Sequence, residues 1–70
     1  MNPHDIKAAL AKAGSSETKI ANDNGVTVPM IHKVIFGASR SRRLEKAIAD
    51  VTGLPLETLW PDHYGDRRSA

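Results

Sequence analysis

The chain has 70 residues, with 10 lysines and arginines against 8 carboxylates, no cysteine and a net charge of +2. A chain this short buries only about 60% of the surface its unfolded form exposes, so it makes one domain with a small core and leaves no room for a large enclosed active site. The lack of cysteine excludes a disulfide framework and a thiolate metal site and suits a reducing cytoplasm, no apolar run approaches the roughly 20 residues of a membrane span, and Met1-Asn2-Pro3-His4-Asp5 lacks a signal-peptide pattern.

Helical periodicity dominates and alternating, strand-like runs are absent, which predicts an all-α fold of five helices. The first is expected to start with Asn2 as its cap and Pro3 in its first turn, to carry Ile6, Ala9, Leu10 and Ala13 inward, and to stop at Gly14. A second begins after Ser15 or Ser16, either of which can accept from free backbone N–H groups, and ends at Asn24-Gly25. Thr27 is the expected cap of the third, which tolerates Pro29 in its first turn, runs to about Phe36 and ends at Gly37. The fourth spans Ser41 to Thr52, with Leu44, Ala47, Ile48 and Val51 as its buried stripe and Gly53 as its stop. Pro55 opens a short fifth helix, Leu56 to Trp60, terminated by Pro61. Residues 1–64 are thus expected to form the domain and residues 65–70 a polar, flexible tail.

The order Ile20-Ala21, Gly25-Val26, Ile31 and Val34 is the pattern that two helices crossing closely around a tight turn require. Ala21 is small enough for a near crossing, Gly25 can adopt the left-handed conformation of the turn, and the aliphatic residues can close over a shared core. This predicts a helix-turn-helix, in which the second helix of the pair reads the major groove of DNA, with an ordinary helical hairpin that carries a glycine between its helices as the competing arrangement.

Ile31 and Val34 anchor that second helix, which leaves Thr27, Val28, Pro29, His32, Lys33 and Phe36 to face the bases. Lys33 can donate to guanine O6 or N7, His32 can donate or accept according to tautomer, and Thr27 offers a hydroxyl and a methyl. Val28, Pro29 and Phe36 have no donors for base edges and can meet only thymine methyl groups, so part of the recognition is expected to come from DNA shape. Between Asn24 and Leu44 the charged residues are Lys33, Arg40, Arg42 and Arg43, with no carboxylate. A helix start already favours an anion, so Ser39, Arg40, Ser41, Arg42 and Arg43 are assigned to phosphates. Thr18 and Lys19, in the first turn of the second helix, are expected to touch the opposite strand's backbone.

No catalytic constellation emerges. His4, His32 and His63 lack the spacing of a metal site, there is no HExxH pair and no glycine-rich phosphate loop. No enzyme activity, cofactor or small-molecule ligand is therefore expected, and double-stranded DNA is the expected partner. Two-fold operators favour dimers, yet no segment resembles a dimerisation helix, so weak or DNA-assisted pairing of this chain with itself stands beside a preformed dimer. An alternative keeps the helices but uses Val28, Met30 and Phe36 as an apolar face for a protein partner, as in an antitoxin, antirepressor or polymerase accessory.

The helix-turn-helix, the Ser41-Arg42-Arg43 helix start and the closing Leu56-Glu57-Thr58-Leu59-Trp60-Pro61-Asp62-His63-Tyr64 resemble the Ner family. Its members are the Ner repressor of transposable phages related to Mu and the bacterial Ner-like regulators, also called Nlp or sugar fermentation stimulation B. The resemblance runs from about Pro3 to Tyr64, and its most specific element is Leu59-Trp60-Pro61 followed shortly by Tyr64. It implies a compact lambda-repressor-like bundle of five helices that binds duplex DNA and regulates transcription, as a phage or prophage-derived repressor. Asn24 stands where such sequences usually carry a hydrophobic residue before the turn glycine, and it is expected to cap the second helix instead of packing.

Overall fold

The computed structural model describes residues 1–65 and is built from α1 (Pro3–Lys12), α2 (Glu17–Asn24), α3 (Val28–Ile35), α4 (Arg42–Thr52), α5 (Leu56–Leu59) and a wide π-type turn over Pro61–Gly65. No strand occurs among the described residues. From Asp66 onward the expected tail lies outside them.

Capping chemistry sets most of the boundaries. The Asn2 side chain accepts from Asp5 N at 2.9 Å and Ser16 Oγ accepts from Lys19 N at 3.1 Å, so each satisfies a backbone donor that has no partner inside its own helix. Ser41 does the same for α4, accepting from Leu44 N at 3.4 Å. Gly25 ends α2 with φ +69°, in the left-handed region, and the Val26 N–H returns to the Ala21 carbonyl at 3.0 Å. Asn24 is the last residue of α2 and half-buried; its side-chain amide turns back to donate to the Ile20 carbonyl at 2.8 Å, and the cap position falls to Gly25.

The core is one cluster: Ile6 and Leu10 from α1, Ile20 and Ala21 from α2, Ile31, Val34 and Ile35 from α3, Leu44 and Ile48 from α4, then Leu59 and Trp60. α2 packs on α3, α1 on both α3 and α4, and α3 and α5 on α4, so α3 is braced by α1, α2 and α4. Ala21 is fully buried, which is the close crossing its size permits, and Val26 is partly buried against the same cluster.

Four residues expected to face inward lie outside it, Ala9 and Ala47 half-buried, Ala13 and Val51 exposed. Ala13 is exposed because α1 ends at Lys12 and Ala13 is only its cap. Val51, in the last turn of α4, is 37% exposed. In their place the core takes Ile35 and, as the one buried charged residue among those described, Glu45 at 1% exposure.

Candidate nucleic-acid interface

α3 divides cleanly. Ile31, Val34 and Ile35 are buried, whereas Val28, Pro29, His32, Lys33 and Phe36 are exposed, as is Thr27 at the cap position. All of the side chains expected to face bases therefore stand on the outer surface of this helix or at its ends. Thr27 has the backbone conformation of a cap but makes no side-chain capping bond, so its hydroxyl is not consumed in holding the helix. Met30, at 39% exposure, joins Val28 and Phe36 in the apolar part of this surface, as the sequence led one to expect for that trio.

The outer face is more ordered than a row of solvated side chains. The His32 ring lies 4.4 Å from the Phe36 ring at an interplanar angle of 31°, and His4 meets Phe36 edge-on at 6.2 Å. On its other side His32 presents Nδ1 to Glu17 Oε2 at 3.1 Å. Glu17 was not among the residues expected here. A carboxylate in the first turn of a helix already has a reason to be there, in the unpaired N–H groups of that end, and nothing in the sequence shows that α2 starts alongside the middle of α3.

After α3 the chain folds back so that the Ala38 and Ser39 N–H groups both donate to the Lys33 carbonyl, at 2.9 and 3.2 Å. Gly37 enters this turn with φ +79°. Ser39 and Ser41 are half-buried here, and Ser41 is engaged as the α4 cap. The three arginines then diverge in role. Arg43 sends both terminal nitrogens to the Asn24 carbonyl at 3.4 Å, joining the first turn of α4 to the last carbonyl of α2. Arg42 is exposed, its guanidinium carbon 6.0 Å from the Tyr64 ring centroid. Arg40 places Nε 3.1 Å from Glu45 Oε2 and its guanidinium 5.6 Å from the Tyr64 ring, while 53% of its side chain stays accessible. It is thus half committed inside the protein, a departure from the purely outward part that the sequence pattern assigns to it.

Glu45 explains that commitment. A buried carboxylate is costly unless it is paired and hydrogen-bonded. Here Oε2 takes the Arg40 Nε and Oε1 accepts from the Tyr64 hydroxyl. That hydrogen bond, followed by burial, pushes the Tyr64 phenol above its usual range, and the Arg40 guanidinium is held further into its charged form by Tyr64 and Glu45. Thr18 and Lys19 are exposed in the first turn of α2, near Glu17. Among the described residues there is no cluster of three or more potential metal ligands and no helix long and apolar enough to cross a membrane.

Two short helices crossing over a buried alanine and a left-handed glycine, with the outer face of the second left open, define a helix-turn-helix DNA-binding domain. Comparison with protein families agrees: residues 1–70 match the winged helix-turn-helix DNA-binding family, and the chain belongs to it. The wing of that description is not formed by the described residues, which hold no strand. Neither the curated proteins nor the solved structures give a match to this chain.

Proposed function

We propose that this domain is a sequence-specific, double-stranded DNA-binding transcriptional regulator of the Ner-like kind, a phage or prophage-derived repressor working in the bacterial cytoplasm. The reading rests on the division of α3: three buried anchors fix the helix, and every other side chain from Thr27 to Lys33, with Phe36, is presented outward. α3 enters the major groove, with Lys33 and His32 on base edges and Thr27, Val28, Pro29 and Phe36 in apolar and shape contacts. Arg42, Arg43 and the accessible part of Arg40 hold phosphates, helped by Ser39 and Ser41, and Thr18 and Lys19 reach the backbone of the other strand. Repression follows from occupying a promoter, with no chemistry, cofactor or small-molecule ligand, and two copies meet on a two-fold operator through weak or DNA-assisted pairing.

Selection of bound sites from a randomised duplex library, with the winner titrated at two salt concentrations, tests this. An enriched motif is expected, with log affinity falling by about 0.9 per phosphate for roughly four to six contacts. Salt-sensitive binding without enrichment would reduce the domain to an architectural DNA binder. The exposure of Val28, Met30 and Phe36 favours one other reading, a protein-interaction module such as an antitoxin, antirepressor or polymerase accessory. That reading gains if random duplex DNA is not bound even at low salt.

A further inference from the structure

The His32–Glu17 pair carries more information than a surface ion pair. Imidazole has two nitrogens, and in the neutral ring one donates while the other accepts. Which nitrogen keeps the proton is decided by the partner of the other. Glu17 Oε2, 3.1 Å from Nδ1, is a carboxylate oxygen and can only accept, so the proton is drawn to Nδ1. Nε2 has no hydrogen-bond partner among the described residues, and the His32 side chain is 48% exposed. The stacked Phe36 ring at 4.4 Å restrains the plane of the imidazole, with His4 supporting Phe36 from its edge.

A carboxylate beside a DNA-reading helix also works against affinity for a polyanion. Its position is therefore better explained by what it does to His32 than by attraction to DNA.

We propose that Glu17 is a positioning residue that sets the tautomer of His32, and through it the bases the reading helix accepts at one position: those presenting an exocyclic amine in the major groove. This rests on the proposal that α3 reads DNA. With Nδ1–H given to Glu17, Nε2 is an acceptor, and it can pair with adenine N6–H or cytosine N4–H. Guanine offers that nitrogen only O6 and N7, and thymine only O4 and a methyl, so both are rejected as acceptor against acceptor. Lys33, a pure donor on the same face, makes the opposite choice at its own position, which gives the helix two readers of opposite sense.

Two measurements test this, at a pH where the imidazole is neutral. The first is nitrogen-15 NMR of the His32 ring in the DNA-free protein. The wild type is expected to carry its proton on Nδ1, and Glu17→Ala to move it largely to Nε2, the form that a free histidine side chain favours. A wild-type ring protonated on Nε2 overturns the proposal without touching the reading of the domain as a DNA binder.

The second takes the enriched site and measures all four bases at each position for wild type, His32→Ala and Glu17→Ala, with circular dichroism checking the fold. His32→Ala locates the position His32 reads. There the wild type is expected to favour adenine or cytosine by about tenfold, as one hydrogen bond to a base edge allows. Glu17→Ala, with the proton on Nε2 and that nitrogen now a donor, is expected to abolish that preference or turn it towards guanine or thymine, to leave other positions unchanged and to strengthen binding to random duplex by removing an anion. Effects of the two substitutions at different positions, or an intact preference in Glu17→Ala, overturn the proposal alone. Failure of the wild type to bind any duplex removes the DNA-reading assignment and this proposal with it.

Discussion

Trp60 donates its indole N–H to the main-chain carbonyl of Ile35 at 3.2 Å, a buried hydrogen bond that spans 25 residues and fastens the C-terminal end of α3 to the end of α5. The carbonyl belongs to the last turn of a helix, where no intrahelical donor remains for it. The indole supplies that donor and fills the core with the same side chain. Trp60→Phe keeps most of the apolar volume but leaves a buried carbonyl without a partner, a change expected to cost about 1–3 kcal/mol of folding stability. Urea unfolding followed by circular dichroism checks it, and a loss within a few tenths of a kcal/mol would mean that water replaces the bond.

The division between reading and positioning is checked by single substitutions at two neighbouring sites. Lys33→Ala is expected to weaken the selected site by about 1–3 kcal/mol and random duplex far less. Arg42→Ala is expected to weaken every sequence alike and to lower the salt slope by about 1. Equilibrium titrations on both duplexes at several salt concentrations decide the matter, and identical behaviour of the two variants would show that Lys33 holds phosphate.

At Gly25 the conformational and packing costs can be separated. Its φ is +69°, yet a methyl group built there meets nothing within 4 Å, so Gly25→Ala adds backbone strain without a clash. The expected loss is about 1–2 kcal/mol, the ordinary cost of a left-handed alanine. Gly25→Asn should recover part of it, since asparagine tolerates this region better. Denaturant midpoints with an unchanged slope provide the readout.

Tyr64 is the only tyrosine, so its ionisation can be followed by phenolate absorbance without interference from another. Its folded pKa is raised, first by the hydrogen bond to Glu45 and then by burial. The sign follows from linkage: the contribution is complete below the unfolded value near 10 and is lost as pH rises through the folded value, because the native state then holds the proton more tightly. Wild-type Tyr64 is expected to titrate later than a free tyrosine, with the fold weakening over that alkaline range. Glu45→Gln removes the carboxylate acceptor and is expected to return the titration towards its ordinary range. A wild-type curve already there would mean that the Tyr64–Glu45 bond does not persist in solution.

What the sequence made legible was what is encoded locally. Asn2, Ser16 and Ser41 are caps whose partners lie three residues away, and Gly25 and Gly53 mark helix ends by their own backbone freedom. The aliphatic spacing of Ile20, Ile31 and Val34 likewise suffices to orient α3, which is why its outer face could be named in advance. What stayed hidden depends on contacts between distant segments. Glu45 looks like a solvated charge in the first turn of α4 until Arg40 and Tyr64 converge on it, and Glu17 looks like a simple helix-start anion until α3 lies beside it. Ala13 and Val51 fit an apolar stripe by spacing alone, but a core this small does not extend to the last turns of α1 and α4.

The bond from Arg43 to the Asn24 carbonyl, together with the close seat of α3 over Ala21, leaves the two motif helices little freedom to change their crossing angle. On the proposed binding mode, the entropy lost by the protein falls on a few long side chains such as Lys33 and Arg42, at roughly 0.5–1.5 kcal/mol each, and hardly at all on its backbone. The compliant partner is the duplex. In that mode, base steps that bend easily towards a fixed helix would be favoured over stiff ones even where no side chain reaches them, so the rigidity of this small turn would become a measure of DNA flexibility.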